Sequence, residues 1–274
     1  MEEVHRTIGS SQLHHEFSPD YRGILNSNIK CAKLLKEFSV DDDRPVVFFL
    51  HGYNTSFEQA LHQTRKLSAE IGGSVTLALW SWASLGLKSG YLADLDHIQL
   101  GMHSATRFLN SLTPDVRVGQ FQVLSHSMGG NLAMHFASEA KKNGLQLSNL
   151  IFVAADIERR KFIRAHRDGI FGSAHRTIYA ADDDIALQVS RSVRPNSPPR
   201  VGHGGNEILV LSGLDSIDTS MVTTGFSLRH SHAFDIKEAF EDLRLLLVDH
   251  KQAHERNLKK QIKNELPYWI ILSK

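Results

Sequence analysis

Short apolar runs alternate along the chain with longer segments whose apolar residues recur every three to four positions. Val46–Leu50 is apolar at every position, as a strand buried on both faces of a parallel sheet requires. In Asp235–His250 the apolar residues instead form one stripe of a helix. The alternation predicts an α/β fold, with a mostly parallel sheet covered by helices on both faces. The predicted strands are Val46–Leu50, Val75–Trp80, Phe121–Leu124, Leu150–Ala154, Thr177–Ala180 and Ile208–Leu211, and the predicted helices are Ser56–Ile71, Asp96–Leu112, Asn131–Asn143, Glu158–Ile170 and Asp235–His250.

This pattern continues through the chain without a linker. One catalytic domain can use all 274 residues. The Pro- and Gly-rich segment 195–205 is interpreted as a surface loop, because strand-like sequence resumes at Ile208. We therefore expect a single domain over residues 1–274, with a core at about 44–248 and an extension at each end.

Composition narrows the class of protein. With 31 Lys and Arg against 30 Asp and Glu, the formal charge of +1 gives no electrostatic reason to expect a nucleic-acid partner. The single cysteine, Cys31, excludes an intrachain disulfide and a Cys-based zinc site. No apolar stretch approaches the roughly 18 residues that a membrane span needs, and the first residues do not form a secretory signal. We expect a cytoplasmic protein without metal, cofactor or stable membrane insertion.

The segment Ser125–Gly130 (SHSMGG) carries the clearest chemical signal. It lies between a predicted strand and a predicted helix, with small residues two positions before and two positions after Ser127. A nucleophile elbow needs this context, because the tight turn aims the serine hydroxyl out of the sheet. The usual pattern is G-x-S-x-G; Ser125 replaces the first glycine and is small enough for the turn. A helix-capping serine is the simpler alternative.

A second loop supports the elbow. The segment Phe49–Asn54 (FLHGYN) ends an earlier buried strand, the place from which half of an oxyanion hole is supplied in α/β hydrolases. We predict the backbone N–H groups of Tyr53 and Met128 as the two donors, with Gly52 allowing close approach of the backbone. His51 is expected to hold this loop rather than to act as a base.

An activated serine also needs a base and an orienting carboxylate, in the chain order serine, acid, histidine. Asp182, Asp183 and Asp184 follow a predicted strand, and His230 and His232 precede the last predicted helix. Spacing alone leaves the choice open within each group.

The chain resembles a branch of the α/β-hydrolase superfamily, the mostly bacterial and poorly characterised lipase/esterase-like serine hydrolases. The resemblance implies the α/β-hydrolase fold and extends over about residues 44–248. It is carried by Val47–Ala60 (VFFLHGYNTSFEQA), Trp80–Asp94 (WSWASLGLKSGYLAD), Leu124–Asn131 (LSHSMGGN), Phe152–Ile157 (FVAADI), Tyr179–Ser190 (YAADDDIALQVS), Asp215–Ser220 and His230-Ser231.

The resemblance implies which acid and which histidine complete the site. The family's acid precedes a hydrophobic Ala-Leu step, which selects Asp184. Its base lies in a Gly-His-Ser-Tyr-like segment before an Asp-Leu pair of the last helix, which selects His230. Arg229 and His232 depart from this pattern, so His232 remains the second candidate.

The expected activity is hydrolysis of a small- to medium-chain carboxylic ester, or a related acyl bond, through an acyl-enzyme on Ser127. Five apolar residues, from the last residue of the second predicted strand onward, either line the substrate pocket or belong to the core. A catalytically silent fold used for binding or regulation, and a non-hydrolytic haloperoxidase-like or lyase variant, are the alternatives. The five residues are Trp80, Trp82, Leu85, Leu87 and Tyr91.

Overall fold

The computed structural model describes eight stretches of the chain. These are residues 4–8, 11–13, 44–72, 74–87, 89–112, 121–182, 198–222 and 237–272. For residues 4–8 and 11–13 only the backbone is described. The predicted acid, Asp184, and the predicted base, His230, lie outside the described residues, as do Asp183 and His232.

The described strands form one sheet of ten, in the order β2-β1-β4-β3-β5-β6-β7-β8-β10-β9. From β4 to β10 in this order every neighbouring pair is parallel, whereas the pairs β2–β1 and β1–β4 at one edge and β10–β9 at the other are antiparallel. The strands are β1 (Val4–Ile8), β2 (Ser11–Leu13), β3 (Val46–Leu50), β4 (Thr76–Trp80), β5 (Phe121–His126), β6 (Leu147–Val153), β7 (His175–Ala180), β8 (Asp215–Asp218), β9 (Lys259–Lys263) and β10 (Leu266–Ile270).

Helices cover both faces of the sheet. Along β3, Phe48 belongs to the apolar core on the face covered by α2, α3 and α4, and Phe49 belongs to the core under α1 and α5. This arrangement confirms the predicted α/β class, with a mostly parallel sheet between two helical layers. The helices are α1 (Phe57–Ile71), α2 (Tyr91–Ser111), α3 (Gly129–Lys142), α4 (Arg159–Arg167) and α5 (Lys237–Leu247).

One predicted strand is wrong and one helix begins earlier than expected. Ile208–Leu211 is not a strand; the neighbour of β7 is β8, which contains two aspartates. The apolar run at Ile208–Leu211 was mistaken for the strand because β8 itself carries two carboxylates. These carboxylates have polar partners: the backbone N–H of Gly205 donates to Asp218, and that of Ala253 donates to Asp215. Helix α2 begins at Tyr91 instead of Asp96.

The extensions add strands to the two edges of the sheet. Strand β1 pairs with β4, and β10 pairs with β8. A buried polar cluster ties the C-terminal extension to the core: the Tyr179 hydroxyl donates to Asp242 Oδ2 over 2.5 Å, and Arg256 Nη1 donates to the same oxygen over 2.6 Å. Burial raises the pKa of the Asp242 carboxyl, while the Arg256 charge pulls it the other way.

Among the helices in the described part of the chain, none combines the length and apolar character that crossing a membrane would require.

Candidate functional site

Ser127 occupies the tight turn between β5 and α3 in a left-handed backbone conformation, with φ of 51°. Its N–H donates to the Val153 carbonyl over 2.9 Å, and its carbonyl accepts from the Asp156 N–H over 3.0 Å. A non-glycine residue in this conformation costs of the order of 1–3 kcal/mol and is found preferentially at functional sites. The local geometry is that of a strand–turn–helix elbow with a serine at its apex.

Ser125 fills the place that glycine usually takes in this motif. The residue is fully buried in β5, and its hydroxyl donates to the Ile151 carbonyl over 3.0 Å. Because of this hydrogen bond, the hydroxyl that Ser125 adds to the buried strand is itself paired.

The start of α3 lies directly against the end of β3. A Cβ atom on Gly129 would come within 2.4 Å of the His51 carbonyl oxygen and 2.6 Å of the Leu50 carbonyl oxygen. Only glycine permits this approach, which brings the helix N-terminus and the loop after β3 together. The positive end of the α3 dipole therefore lies at the elbow.

Gly129→Ala is expected to destabilise the fold by roughly 2–3 kcal/mol, because the new methyl group would overlap backbone atoms that cannot move aside. Gly130→Ala is the matched control in the same helical turn: its Cβ would meet the end of the Ile157 side chain at 2.9 Å, and that side chain can shift. Denaturant unfolding of the two variants measures the difference. Equal unfolding midpoints would contradict the close approach of α3 to β3.

The loop after β3 passes along the elbow. A Cβ atom on Gly52 would lie 2.8 Å from His126 Nδ1 and 3.0 Å from Ser127 Cβ. The structure thus brings the Tyr53 segment and the Ser127–Met128 segment together, the two segments that were predicted to supply the oxyanion donors. Asn54 follows in a left-handed conformation with φ of 55°, which asparagine tolerates better than most residues.

His51 is a fully buried member of this loop. Its Nε2 accepts from the Trp82 N–H over 3.1 Å and its Nδ1 lies 2.9 Å from the Gly52 carbonyl oxygen, an arrangement that requires the neutral tautomer protonated at Nδ1. Burial lowers the pKa of the His51 imidazole to about 4. The ring also stacks on Trp82 with centroids 5.3 Å apart. These contacts are those of a histidine that holds a loop.

The five apolar residues from the end of β4 to the start of α2 divide into two groups. Trp80, Trp82 and Tyr91 are buried in the core. Leu85 and Leu87 are 44% and 56% exposed, on the loop between β4 and α2. Of these five residues, the two leucines are the ones that present apolar surface on the loop.

Asp182 is the one of the three adjacent aspartates that lies within the described residues. It is exposed just after β7, and its backbone N–H donates to the Ser220 hydroxyl over 2.9 Å. Ser220 itself follows β8. Because β5, β7 and β8 are parallel, their carboxyl ends lie on the same edge of the sheet as Ser127.

A buried ion pair beside the elbow was not anticipated from the sequence. Arg200 Nε lies 3.2 Å from Asp156 Oδ1, and both side chains are almost completely buried. The Tyr91 hydroxyl donates to Asp156 Oδ2 over 2.6 Å. The only sequence signal was indirect: Tyr91 and Asp156 fall within two of the stretches that carry the family resemblance, and Arg200 falls in none.

No three His, Cys, Asp or Glu side chains are grouped so that they could hold a metal ion, as far as the described residues go. The elbow itself places a serine hydroxyl near backbone amides and a helix N-terminus.

Several solved structures are similar to the chain at low sequence identity. They include a dienelactone hydrolase from Anabaena variabilis (14% identity, 75% of this chain and 84% of that chain, TM-score 0.42). A hyperthermophilic esterase from the archaeon Pyrobaculum calidifontis is 12% identical over 86% of this chain and 99% of that chain, with a TM-score of 0.44. EstE1, a thermostable carboxylesterase cloned from a metagenomic library, is 12% identical over 90% of this chain and 86% of that chain, with a TM-score of 0.44. No curated protein matches the sequence.

A family model matches residues 27–244, which include every strand from β3 to β8 and the elbow. The description of that family names the fold and leaves the reaction open. The match covers most of the chain and agrees with the sheet order and the strand–turn–helix at Ser127. The chain belongs to the family described as alpha/beta hydrolase of unknown function (DUF900).

Proposed function

We propose that this protein is a serine hydrolase that cleaves a carboxylic ester, or a closely related acyl bond, through an acyl-enzyme on Ser127. The observation that carries the proposal is the left-handed backbone of Ser127 on the turn between β5 and α3. A strained serine at a helix N-terminus, with a glycine of a second loop against its Cβ, fits a nucleophile better than a capping residue. A capping serine has an extended backbone, which Ser127 does not have.

His230 serves as the base in this mechanism and Asp184 as its orienting acid. Support comes from the family resemblance and from topology. Asp182, which is close to Asp184 in the sequence, follows β7, and Val222, which precedes His230 in the sequence, follows β8 by a few positions. Both strands end on the same sheet edge as β5. The order serine, acid, histidine along the chain is that of α/β hydrolases.

The reaction begins when the Ser127 Oγ attacks the ester carbonyl carbon and gives its proton to the imidazole of His230. Asp184 fixes the imidazole tautomer and stabilises the imidazolium. The backbone N–H groups of Tyr53 and Met128 donate to the developing oxyanion, where losing one such donor costs about 3–4 kcal/mol of transition-state stabilisation. The alcohol leaves with the proton from His230, and water then releases the acid by the reverse sequence of proton transfers. No cofactor takes part in these steps.

The substrate class is a small- to medium-chain ester. Leu85 and Leu87 offer exposed apolar surface on the loop between β4 and α2, which is joined to the oxyanion loop by the hydrogen bond from Thr55 N–H to Ser84 Oγ. An apolar acyl or alcohol group would contact such a surface favourably.

Fluorophosphonate labelling followed by intact-mass measurement tests the activated serine directly. We expect one adduct on the wild-type chain, located by peptide mapping to Ser127, and no adduct on Ser127→Ala. An ester panel of increasing chain length then defines the preferred acyl group. A folded wild-type protein that takes no adduct and hydrolyses no ester would instead indicate a catalytically silent fold used for binding.

A further inference from the structure

The first turn of α2 contacts the loop after β3, which carries Tyr53, and the loop after β6, which is bonded to the elbow. The ring of Tyr91 packs edge-on against the ring of Tyr53, with centroids 5.3 Å apart. The hydroxyl of the same tyrosine donates to Asp156 Oδ2 over 2.6 Å. One buried side chain thus reaches the loop after β3 and the loop after β6.

Asp156 carries this contact to the elbow. Its backbone N–H donates to the Ser127 carbonyl over 3.0 Å, and its other carboxylate oxygen lies 3.2 Å from Arg200 Nε. The Asn131 side-chain amide, from the first turn of α3, donates to the Asp156 carbonyl over 3.0 Å. The carboxylate that receives the Tyr91 hydroxyl is therefore held at a fixed place relative to Ser127 and the start of α3.

Asp94, in the same first turn of α2, is hydrogen-bonded toward the loop after β3. It is fully buried, and its carboxylate accepts from the Ser84 hydroxyl over 2.7 Å and from the Leu85 N–H over 2.8 Å. The Ser84 hydroxyl accepts in turn from the Thr55 N–H over 3.2 Å, and the Asn54 N–H points to Asp94 Oδ2 at 3.5 Å. The backbone N–H groups of the two residues after Tyr53 therefore point to Asp94, that of Asn54 directly and that of Thr55 through the Ser84 hydroxyl.

We infer that Tyr91 and Asp94 are positioning residues that set the separation between the two oxyanion donors, the N–H groups of Tyr53 and Met128. This inference rests on the proposed function. Tyr91 and Asp94 are assigned an effect on the donors and no contact with the reacting atoms. Oxyanion donors must lie about 2.7–3.1 Å from the position that the oxyanion will occupy. A shift of about 1 Å in such a site can cost on the order of 100-fold in rate. The first turn of α2 contacts the Tyr53 loop directly and the Ser127 turn through Asp156, and this double attachment would limit such shifts.

Tyr91→Phe and Asp94→Asn test the inference by steady-state ester hydrolysis. Phenylalanine keeps the ring against Tyr53 and removes only the hydroxyl bonded to Asp156. We expect kcat to fall roughly 10- to 100-fold in each variant, with kcat/KM falling in proportion, because the lost alignment matters in the transition state.

Tyr179→Phe is the matched control, because it also removes a buried tyrosine hydroxyl that donates to an aspartate, here Asp242 on the opposite face of the sheet. Rates are expressed per folded molecule, from unfolding curves measured on the same samples. We expect the control to lose stability and to retain the wild-type kcat.

An unchanged kcat in both Tyr91→Phe and Asp94→Asn would overturn the inference, and so would an equal loss in Tyr179→Phe, since either result would make the role merely structural. In those cases a fluorophosphonate adduct on Ser127 of the wild-type protein would still support the proposed function. A wild-type protein that neither labels nor hydrolyses overturns both.

Discussion

Ser127→Ala is expected to lower kcat for ester hydrolysis by on the order of 10⁶, which is the scale of losing the nucleophile of a serine hydrolase. In the proposed mechanism the hydroxyl forms the covalent bond of the acyl-enzyme, so no other group of the site could take over this step. The measurement is steady-state hydrolysis of the best ester from the chain-length panel. Ser148→Ala is a suitable control: its hydroxyl donates to the Phe121 carbonyl over 3.2 Å at the amino end of β6, on the opposite edge of the sheet.

A second inactive variant separates loss of chemistry from loss of folding. Ser127→Gly also lacks the hydroxyl, but glycine adopts the φ of 51° without the roughly 1–2 kcal/mol that other residues pay there. We therefore expect Ser127→Gly to unfold at a higher denaturant concentration than Ser127→Ala, with both inactive. Substantial turnover by either variant would show that Ser127 is not the nucleophile.

The elbow could be predicted from the sequence because its determinants are local. A buried strand, a serine between small residues and a helix follow one another within Phe121–Lys142, and each has its own pattern. Likewise the run Phe49–Asn54 ends a strand that is apolar on both faces, so its place at the sheet edge followed directly. Both segments meet in the structure because β3 and β5 are adjacent.

The polar contacts that organise this region could not be predicted in the same way. Tyr91 and Asp156 are 65 positions apart, and Asp156 is paired with a residue beyond the next strand, Arg200. Their proximity follows from the order of strands and not from any spacing along the chain. The strand β8 was missed for a related reason: carboxylates are unusual in a strand within a sheet, and those of Asp215 and Asp218 are bonded to backbone N–H groups outside the strand, at Ala253 and Gly205.

Asp184→Asn is expected to lower kcat about 10,000-fold, because an asparagine leaves the catalytic imidazole in the wrong tautomer while changing little else. The aspartate is expected to stabilise the imidazolium that forms as His230 takes the proton from Ser127, and an uncharged amide cannot do so. Steady-state hydrolysis measures the loss. Fluorophosphonate labelling should slow in parallel, since it depends on the same activation of Ser127.

Asp182→Asn is the matched control, two positions away and with the same change of charge. Asp182 is exposed, and the contact that fixes it is the hydrogen bond from its backbone N–H to the Ser220 hydroxyl, which the substitution retains. An exposed carboxylate exchanged for an amide changes stability by about 0.5 kcal/mol or less, so we expect near wild-type activity. Equal losses in the two variants would mean that the charge of the whole aspartate cluster matters rather than one carboxylate, and a loss confined to Asp182→Asn would move the acid to that position. Only a large effect at Asp184 alone agrees with an imidazole held by a single carboxylate after β7.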